Sequence, residues 1–291
     1  MKVFVAGATG VLGRHLLPCL LAGGHSVRGI ARRVPSRPQP AGVELVEQDL
    51  IHDDLLDLVS GCDAVVHIAT AIPRDPAAQA AWEITAQLRT IGTRRLLEAA
   101  LACGAQRYLQ QSIVMAYRSG GDAWLDETTP FDGSSDRAAI CQPVIAMERM
   151  VREVGSERLA WTILRGGAFV GAETAETGLV ERLRAGELVV AGDGSNFISP
   201  VNVSDMAAAL AAALVHAPAA STFNIVDQPL RYRDYVDAVA DMIGADRPRR
   251  IADMPLPPSW RCTNQAAQTA LEWTPRGRIW PDVREMTSNI V

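Results

Sequence analysis

The stretch Lys2-Val3-Phe4-Val5-Ala6-Gly7-Ala8-Thr9-Gly10-Val11-Leu12-Gly13 decides the fold. Its first five residues read as a buried strand, and the apolar spacing from Val11 onward reads as a helix over Val11–Ala22. Gly7, Gly10 and Gly13 sit between them. In such a turn the first glycine permits a tight bend. The second lets backbone amides approach an anion, and the third lets helix and strand pack closely. The unpaired N–H groups and the dipole at a helix start favour a phosphate. In this strand–turn–helix context the spacing predicts a pyrophosphate site, and therefore a bound dinucleotide. Gly7, Thr9, Gly10, Val11, Leu12 and Gly13 would surround it. The first gap is one residue longer than in GxGxxG, and a glycine turn with no ligand is the alternative.

Outward from this turn, short β-branched runs alternate with longer helical patterns, which predicts βαβ units and a parallel sheet. Strands are predicted at Lys2–Ala6, Ser26–Ile30, Val43–Glu47, Ala64–Ile68, Tyr108–Gln111 and Trp161–Arg165. Helices are predicted at Val11–Ala22, Asp54–Ser60, Ala77–Ala102 and Ala138–Val154, with Ile91, Leu96, Leu97, Ala100 and Leu101 on one face. After Gly166-Gly167 the units shorten. A helix (Thr177–Ala185), a strand (Leu188–Ala191), a strand (Phe197–Val201), a helix (Asp205–His216), a strand (Phe223–Val226) and a helix (Tyr232–Ile243) follow. The expected fold class is α/β: a Rossmann doubly wound parallel sheet over residues 1–165, with a smaller, interleaved C-terminal α/β substrate-binding lobe over 166–291.

Bulk composition narrows the function classes. The 291 residues suffice for a sizeable core, and the net charge of -5 gives no reason to expect nucleic acid or an anionic membrane as partner. Met206 to Val215, the longest apolar stretch, is about half a membrane span and reads as a core helix. Cys19, Cys62, Cys103, Cys141 and Cys262 lie far apart. They form no metal knuckle, and their odd number fits a reducing cytoplasm. Of 28 basic residues only Lys2 is a lysine.

The end of the second strand bears on cofactor choice. NAD sites tend to carry an acidic residue there, about 20 residues beyond the glycine turn, to hold the ribose hydroxyls. This chain has Ile30-Ala31-Arg32-Arg33 instead. Two guanidiniums suit a bidentate grip on a 2′-phosphate, so NADP is expected, with NAD as the alternative.

With these residues in hand, the chain resembles the extended short-chain dehydrogenase/reductases, the NAD-dependent epimerase/dehydratase-like group, over nearly its whole length. Beyond the glycine turn the likeness includes Asp49-Leu50, where the family's Asp contacts adenine. Val65-Val66-His67-Ile68-Ala69 is similar to the family's "VVHLAA" strand, so Ile68, Ala69 and Thr70 would lie beside the cofactor. Gly92-Thr93-Arg94-Arg95-Leu96-Leu97-Glu98-Ala99-Ala100 resembles "GTxxLLEAA", and Thr162 to Gly171 resembles "TILRPGxVYG" with Gly166 in place of the proline. Gly192-Asp193-Gly194, Pro200 to Ala207 and Glu272-Trp273-Thr274-Pro275-Arg276 resemble the later "GDG", "FVHVDDLA" and "LGWTPR" elements. The family often pairs through its long helices, so the resemblance allows a homodimer.

One departure matters. The family's chemistry uses a Tyr–Lys pair spaced YxxxK, with a Ser and often an Asn; the tyrosinate is the acid/base and the lysine lowers its pKa. Here the Tyr place falls on Ile140, the Lys place on Val144, the Ser place on Ile113 and the Asn place on Arg89. With Lys2 the single lysine, no shift of alignment restores YxxxK. Ordinary sugar-nucleotide epimerisation or dehydration is therefore not expected. The remaining polar candidates near the nicotinamide end are Ser112, Tyr117 and His67, with Thr70, Arg165 and the acidic run Asp122, Asp126 and Glu127 behind them. Each has an alternative as an ordinary packing or surface residue. Met115, Trp124, Ile140, Val144 and Phe169 would line an unusually apolar pocket, suited to a small apolar organic substrate. The leading expectation is an NADPH-dependent reductase of an activated carbonyl or enone. A non-redox cyclase, isomerase or lyase and a dinucleotide sensor without catalysis are the competing readings.

Overall fold

The chain's alternation of strand and helix winds into one parallel sheet with the glycine turn at its centre. The computed structural model describes residues 1–36, 38–72 and 79–281, with residues 79–81 described in backbone only. The first half contains β1 (Lys2–Ala6), α1 (Val11–Ala22), β2 (Ser26–Ala31), β3 (Val43–Glu47), α2 (Leu56–Val59), β4 (Ala64–His67), α3 (Gln79–Gln87) and α4 (Thr93–Ala102). It continues with β5 (Arg107–Ile113), β6 (Trp124–Leu125), α5 (Ala138–Glu153) and β7 (Ala160–Gly166). The second half contains β8 (Ala168–Val170), α6 (Ala175–Arg184), β9 (Val189–Ala191), β10 (Phe197–Ile198), β11 (Pro200–Asn202) and α7 (Val203–His216). β12 (Ser221–Ile225), β13 (Leu230–Arg231), α8 (Tyr232–Ile243), β14 (Arg249–Ile251), β15 (Arg261–Cys262) and α9 (Gln265–Leu271) complete it.

Seven strands pair in the order β3-β2-β1-β4-β5-β7-β12. All six ladders are parallel. From β1 the chain first winds toward β3, then returns to the other side of β1 as β4. Loops leaving the carboxyl ends of β1 and β4 therefore diverge, which opens a crevice at that switch point.

Both faces are covered, as a parallel sheet requires. Side-chain alternation sends Val3 and Val5 into one core with Leu12, Leu16 and Leu20 of α1 and Met206, Leu210 and Ala213 of α7. Phe4 and Ala6 point the other way, into a core with Leu96, Leu97 and Ala100 of α4 and Val151 of α5. A smaller core gathers Val180 and Leu183 of α6, Val190 of β9, and Tyr235, Val236 and Val239 of α8. Residues 166–291 also feed the sheet itself, because β12 pairs with β7 from Ser221↔Thr162 to Ile225↔Gly166.

Two predicted elements differ in outline. The helix predicted over Ala77–Ala102 is interrupted by a π-helical turn at Leu88–Gly92, with α3 before it and α4 after it. Ala77 and Ala78 lie outside the described residues. The strand predicted over Phe197–Val201 breaks at Ser199. Its Oγ donates to the Trp260 carbonyl at 2.8 Å and accepts from the Cys262 amide at 3.0 Å. Among the described residues no helix is long and apolar enough to cross a membrane.

Candidate cofactor and active site

At the carboxyl end of β1 the chain leaves no room for side chains. Gly7 has φ +98°, and a Cβ there would lie 2.8 Å from the Ala69 nitrogen. A Cβ on Gly13 would lie 2.3 Å from the Ala8 carbonyl oxygen and 2.4 Å from that of Gly7. The Gly10 amide closes the turn by donating to the Gly7 carbonyl at 3.1 Å. The Arg14 amide makes the first intrahelical bond, to the Gly10 carbonyl at 3.0 Å. The N–H groups of Val11, Leu12 and Gly13 thus precede the helical ladder, and no side chain caps this end of α1. A cradle of bare amides with no Cβ in it fits a pyrophosphate, and with it a dinucleotide laid across the switch point.

The second wall of the crevice is the chain after β4. Its Ile68 is buried, Ala69 half-buried and Thr70 exposed. The Ile68 amide continues the ladder to the Ala6 carbonyl at 3.0 Å. His67 anchors this wall from beneath and is only 1% exposed. Its Nε2 lies 3.0 Å from the Leu88 carbonyl oxygen, which requires the proton on that nitrogen. Nδ1 is left to accept from the Ala69 amide at 3.4 Å. Burial pulls the imidazole pKa down to about 4, against the raising effect of the Leu88 bond. His67 is neutral at neutral pH, with both nitrogens engaged, so it positions the Ala69 backbone rather than facing a substrate.

Toward the β2 and β3 ends, Arg32 and Arg33 are exposed, and β2 ends at Ala31 with no carboxylate following it. Asp49 closes its own turn, Oδ1 accepting from the Ile51 amide at 2.7 Å and the His52 amide at 3.2 Å. Leu50 is buried against the π turn, where a Cβ on Gly92 would lie 2.9 Å from Leu50 Cδ2.

Ser112, Tyr117 and Arg165, expected at the nicotinamide end, belong instead to one buried network, which corrects the expectation that Ser112 and Tyr117 face a substrate. Glu148 of α5 is its centre. Glu148 Oε1 accepts from Ser112 Oγ at 2.7 Å and Arg165 Nε at 2.9 Å, while Oε2 accepts from Arg165 Nη2 at 2.7 Å. Arg165 Nη1 donates to Tyr117 Oη at 2.6 Å and to the Glu127 carbonyl at 3.0 Å. Tyr117 Oη in turn donates to Asn224 Oδ1 at 2.7 Å. Burial raises the Tyr117 phenol above its ordinary range, only partly offset by the Arg165 charge. Of the acidic run, Glu127 joins this network by accepting the Asn224 amide at 2.7 Å. Asp122 pairs with Arg231 at 2.8 Å, and Asp126 accepts from the Thr128 amide at 3.0 Å.

The five residues expected to line one apolar pocket are dispersed, so the structure does not form that pocket from them. Val144 is fully buried with Ala116, Cys141 and Met147, because its helix face turns inward. Ile140, one residue before Cys141, is half-buried. Met115 packs with Tyr117 and Val226, and Phe169 packs against the α7 side of the sheet. Trp124 is 56% exposed, with its ring 4.3 Å from the Arg261 guanidinium. A cleft of about 490 Å³ lies on the outer side of α5, lined by Glu127, Phe131, Ile145, Arg149, Arg152 and Arg165. A second, of about 260 Å³, lies between Trp124, Asp227, Cys262 and Gln268. Neither includes the glycine turn.

Sequence reasoning passed over two buried charges. Glu148 is one, although its spacing four residues from the apolar Val144 puts it on the same, inward face of α5. Arg89 was read only as a replacement for Asn, yet it is among the most buried charges of the molecule.

The comparisons agree with this geometry. Residues 3–226 match the family described as "NAD dependent epimerase/dehydratase family". A "3-diazoavenalumate denitrifying reductase" from a Streptomyces species is 34% identical over 302 aligned positions, covering 97% of this chain and 98% of that protein. A "2-alkyl-3-oxoalkanoate reductase" from Stenotrophomonas maltophilia is 28% identical over 85% of this chain and 77% of its own length. Among solved structures, MoeE5 in complex with UDP-glucuronic acid and NAD superposes with a TM-score of 0.81 at 24% identity over the whole of both chains, a likeness of fold. The cradle at Gly7–Gly13, the seven-stranded switch-point sheet and the match over residues 3–226 together make this chain a member of the NAD dependent epimerase/dehydratase family.

Proposed function

We propose that the chain is an NADP(H)-dependent reductase of an acceptor that is already electrophilic: an enone, an activated carbonyl or a diazo group. The observation that carries this reading is that the places the family likeness gives to tyrosine, lysine and serine hold Ile140, Val144 and Ile113, none of which can donate a proton. Val144 is fully buried among Ala116, Cys141 and Met147, and Ile140 stands one turn before it. These side chains hold no proton and no charge. Lys2 sits at the amino end of β1, on the opposite edge of the sheet from the glycine turn. Ile113, at the place the family likeness gives to serine, has no hydrogen-bond donor for an acceptor oxygen. The side chains at these three places, Ile140, Val144 and Ile113, therefore stabilise no developing alkoxide, and rate enhancement must come from holding the reactants in line. Only an acceptor that needs little proton assistance suits such a site. The full-length relative named as a denitrifying reductase of a diazo compound supports that class.

A bound NADPH supplies a hydride equivalent. This chain's part is to grip the pyrophosphate at Val11, Leu12 and Gly13, to press the Ala69 backbone against the cofactor, and to offer Arg32 and Arg33 to the 2′-phosphate. The test is turnover with NADPH deuterated at C4, run beside NADH, against enones, quinones, arenediazonium salts and simple ketones. Deuterium in the product of an activated acceptor, faster with NADPH and absent with simple ketones, is the expected result. Conversion of acceptors with no label transfer, or no conversion of any acceptor, overturns it.

A further inference from the structure

Arg89 carries a buried charge that no described residue pairs. It is 4% exposed, in the π-helical turn Leu88–Gly92 between α3 and α4. It makes no hydrogen bond or ion pair with any described residue, unlike Arg165, whose guanidinium Glu148 grips through both carboxylate oxygens. Burial lowers its pKa to about 10, which still leaves it charged at neutral pH. A desolvated cation without an anion is expensive, and such a group persists where a ligand completes it. The π turn is itself the kind of one-residue insertion found at functional sites.

Its location narrows the ligand. The π turn packs against α5 on one side, and on the other a Cβ on Gly92 would lie 3.6 Å from His67 Nε2 at the end of β4. Arg89 is thus carried on a turn between α5 and the wall of the dinucleotide crevice. The bond from His67 to the Leu88 carbonyl fixes the adjacent residue of the same turn to that wall.

We infer that Arg89, held on the π turn between α5 and the His67 end of β4, binds the nicotinamide ribose and its adjoining phosphate in the bound dinucleotide. The inference rests on the dinucleotide reading above and extends it from the glycine turn, which holds the pyrophosphate, to the opposite half of the ligand. A guanidinium suits this task because its fork of donors meets a diol or a phosphate with two bonds at once.

The test separates the two halves of the ligand. The full chain and its Arg89→Met variant are titrated calorimetrically with NADPH and, separately, with adenosine 2′,5′-bisphosphate, which carries the adenine half alone. The expected result is a loss of about tenfold or more in NADPH affinity, with the bisphosphate held within about twofold. Arg89→Lys keeps the cation but not the fork, and is expected to lose NADPH affinity by more than about threefold but less than the methionine variant, with the bisphosphate held within about twofold. Should the methionine variant fail to fold, the lysine variant decides. A loss of NADPH beyond about threefold with the bisphosphate held within about twofold supports the assignment, and NADPH retained within about threefold or a matching loss of the bisphosphate overturns it. Equal losses for both ligands in the methionine variant, or no loss of NADPH, also overturn it. A wild-type chain that binds neither ligand sinks the dinucleotide reading along with it. A wild-type chain that binds both, with Arg89→Met unchanged, sinks the Arg89 assignment alone.

Discussion

At the scale of single residues, His67 explains why the crevice keeps its shape and predicts how the protein responds to acid. Its ring bridges the π turn and the Ala69 amide in the neutral form. In the fold it stays neutral down to about pH 4, whereas in the unfolded chain it protonates near 6.5. Between those values the unfolded chain holds more protons, so stability rises with pH there and is lost as pH falls from 6.5 toward 4. The full span corresponds to about 3 kcal/mol. Urea midpoints measured across this window are expected to fall with pH in the wild type. In His67→Gln they should fall less steeply, from a lower starting stability, and an unchanged slope would show that His67 does not carry the effect. The glycine turn at Gly7, Gly10 and Gly13 was legible from sequence because its requirement is local: three missing side chains between a strand and a helix. The burial of Ser112, Tyr117 and His67 was not legible. Each becomes internal only through partners 21 to 107 residues away, such as Leu88, Glu148 and Asn224.

At the scale of elements, α5 is the pivot. One side of it seals Val144 into hydrocarbon, and one turn later Glu148 ties β5 to β7 through Ser112 and Arg165. A buried ion pair of this kind adds little net stability over a well-packed hydrocarbon pair, but breaking it on one side is costly. Glu148→Ala leaves the Arg165 guanidinium buried without its carboxylate and is expected to cost about 3–5 kcal/mol. The double variant Glu148→Leu/Arg165→Met removes both charges and is expected to recover most of that loss. Urea denaturation of Glu148→Leu, Arg165→Met and the double variant measures the coupling, and simple additivity would disprove the buried pair as a unit. Periodicity found α5 to within one residue at its end, because a stripe of apolar residues is a local signal. The π turn escaped it, since one inserted residue leaves the apolar stripe on either side in place. The break at Ser199 escaped for a different reason: its hydroxyl is claimed by backbone groups at Trp260 and Cys262, some 60 residues away.

At the scale of the whole molecule, the two halves of the sequence share one core. The first half reads as strand–helix alternation, so its topology was legible. The last strand of the sheet was predicted as a strand but could not be placed, because β12 finds its position only by pairing with β7. The short strands β6, β15 and β14 carry two or three residues each, too few for a periodic signal, whereas β9, expected over Leu188–Ala191, forms over Val189–Ala191. Sharing of the core has a direct consequence. Leu12, Leu16 and Leu20 of α1 are covered by Met206, Leu210 and Ala213 of α7, and Leu164 of β7 lies beside Phe223 of β12. A fragment ending at Gly166 would expose that whole layer on one face of the sheet, an apolar surface far larger than a soluble monomer tolerates. Residues 1–166 expressed alone are therefore expected to aggregate or to bind a hydrophobic dye without cooperative unfolding, although they contain the entire glycine turn. Co-expression with residues 167–291 is expected to restore a soluble complex that unfolds cooperatively and binds NADPH. A soluble, cooperatively folding 1–166 that binds NADPH unaided would mean that the seventh strand and α7 are accessories to the dinucleotide domain and not parts of it.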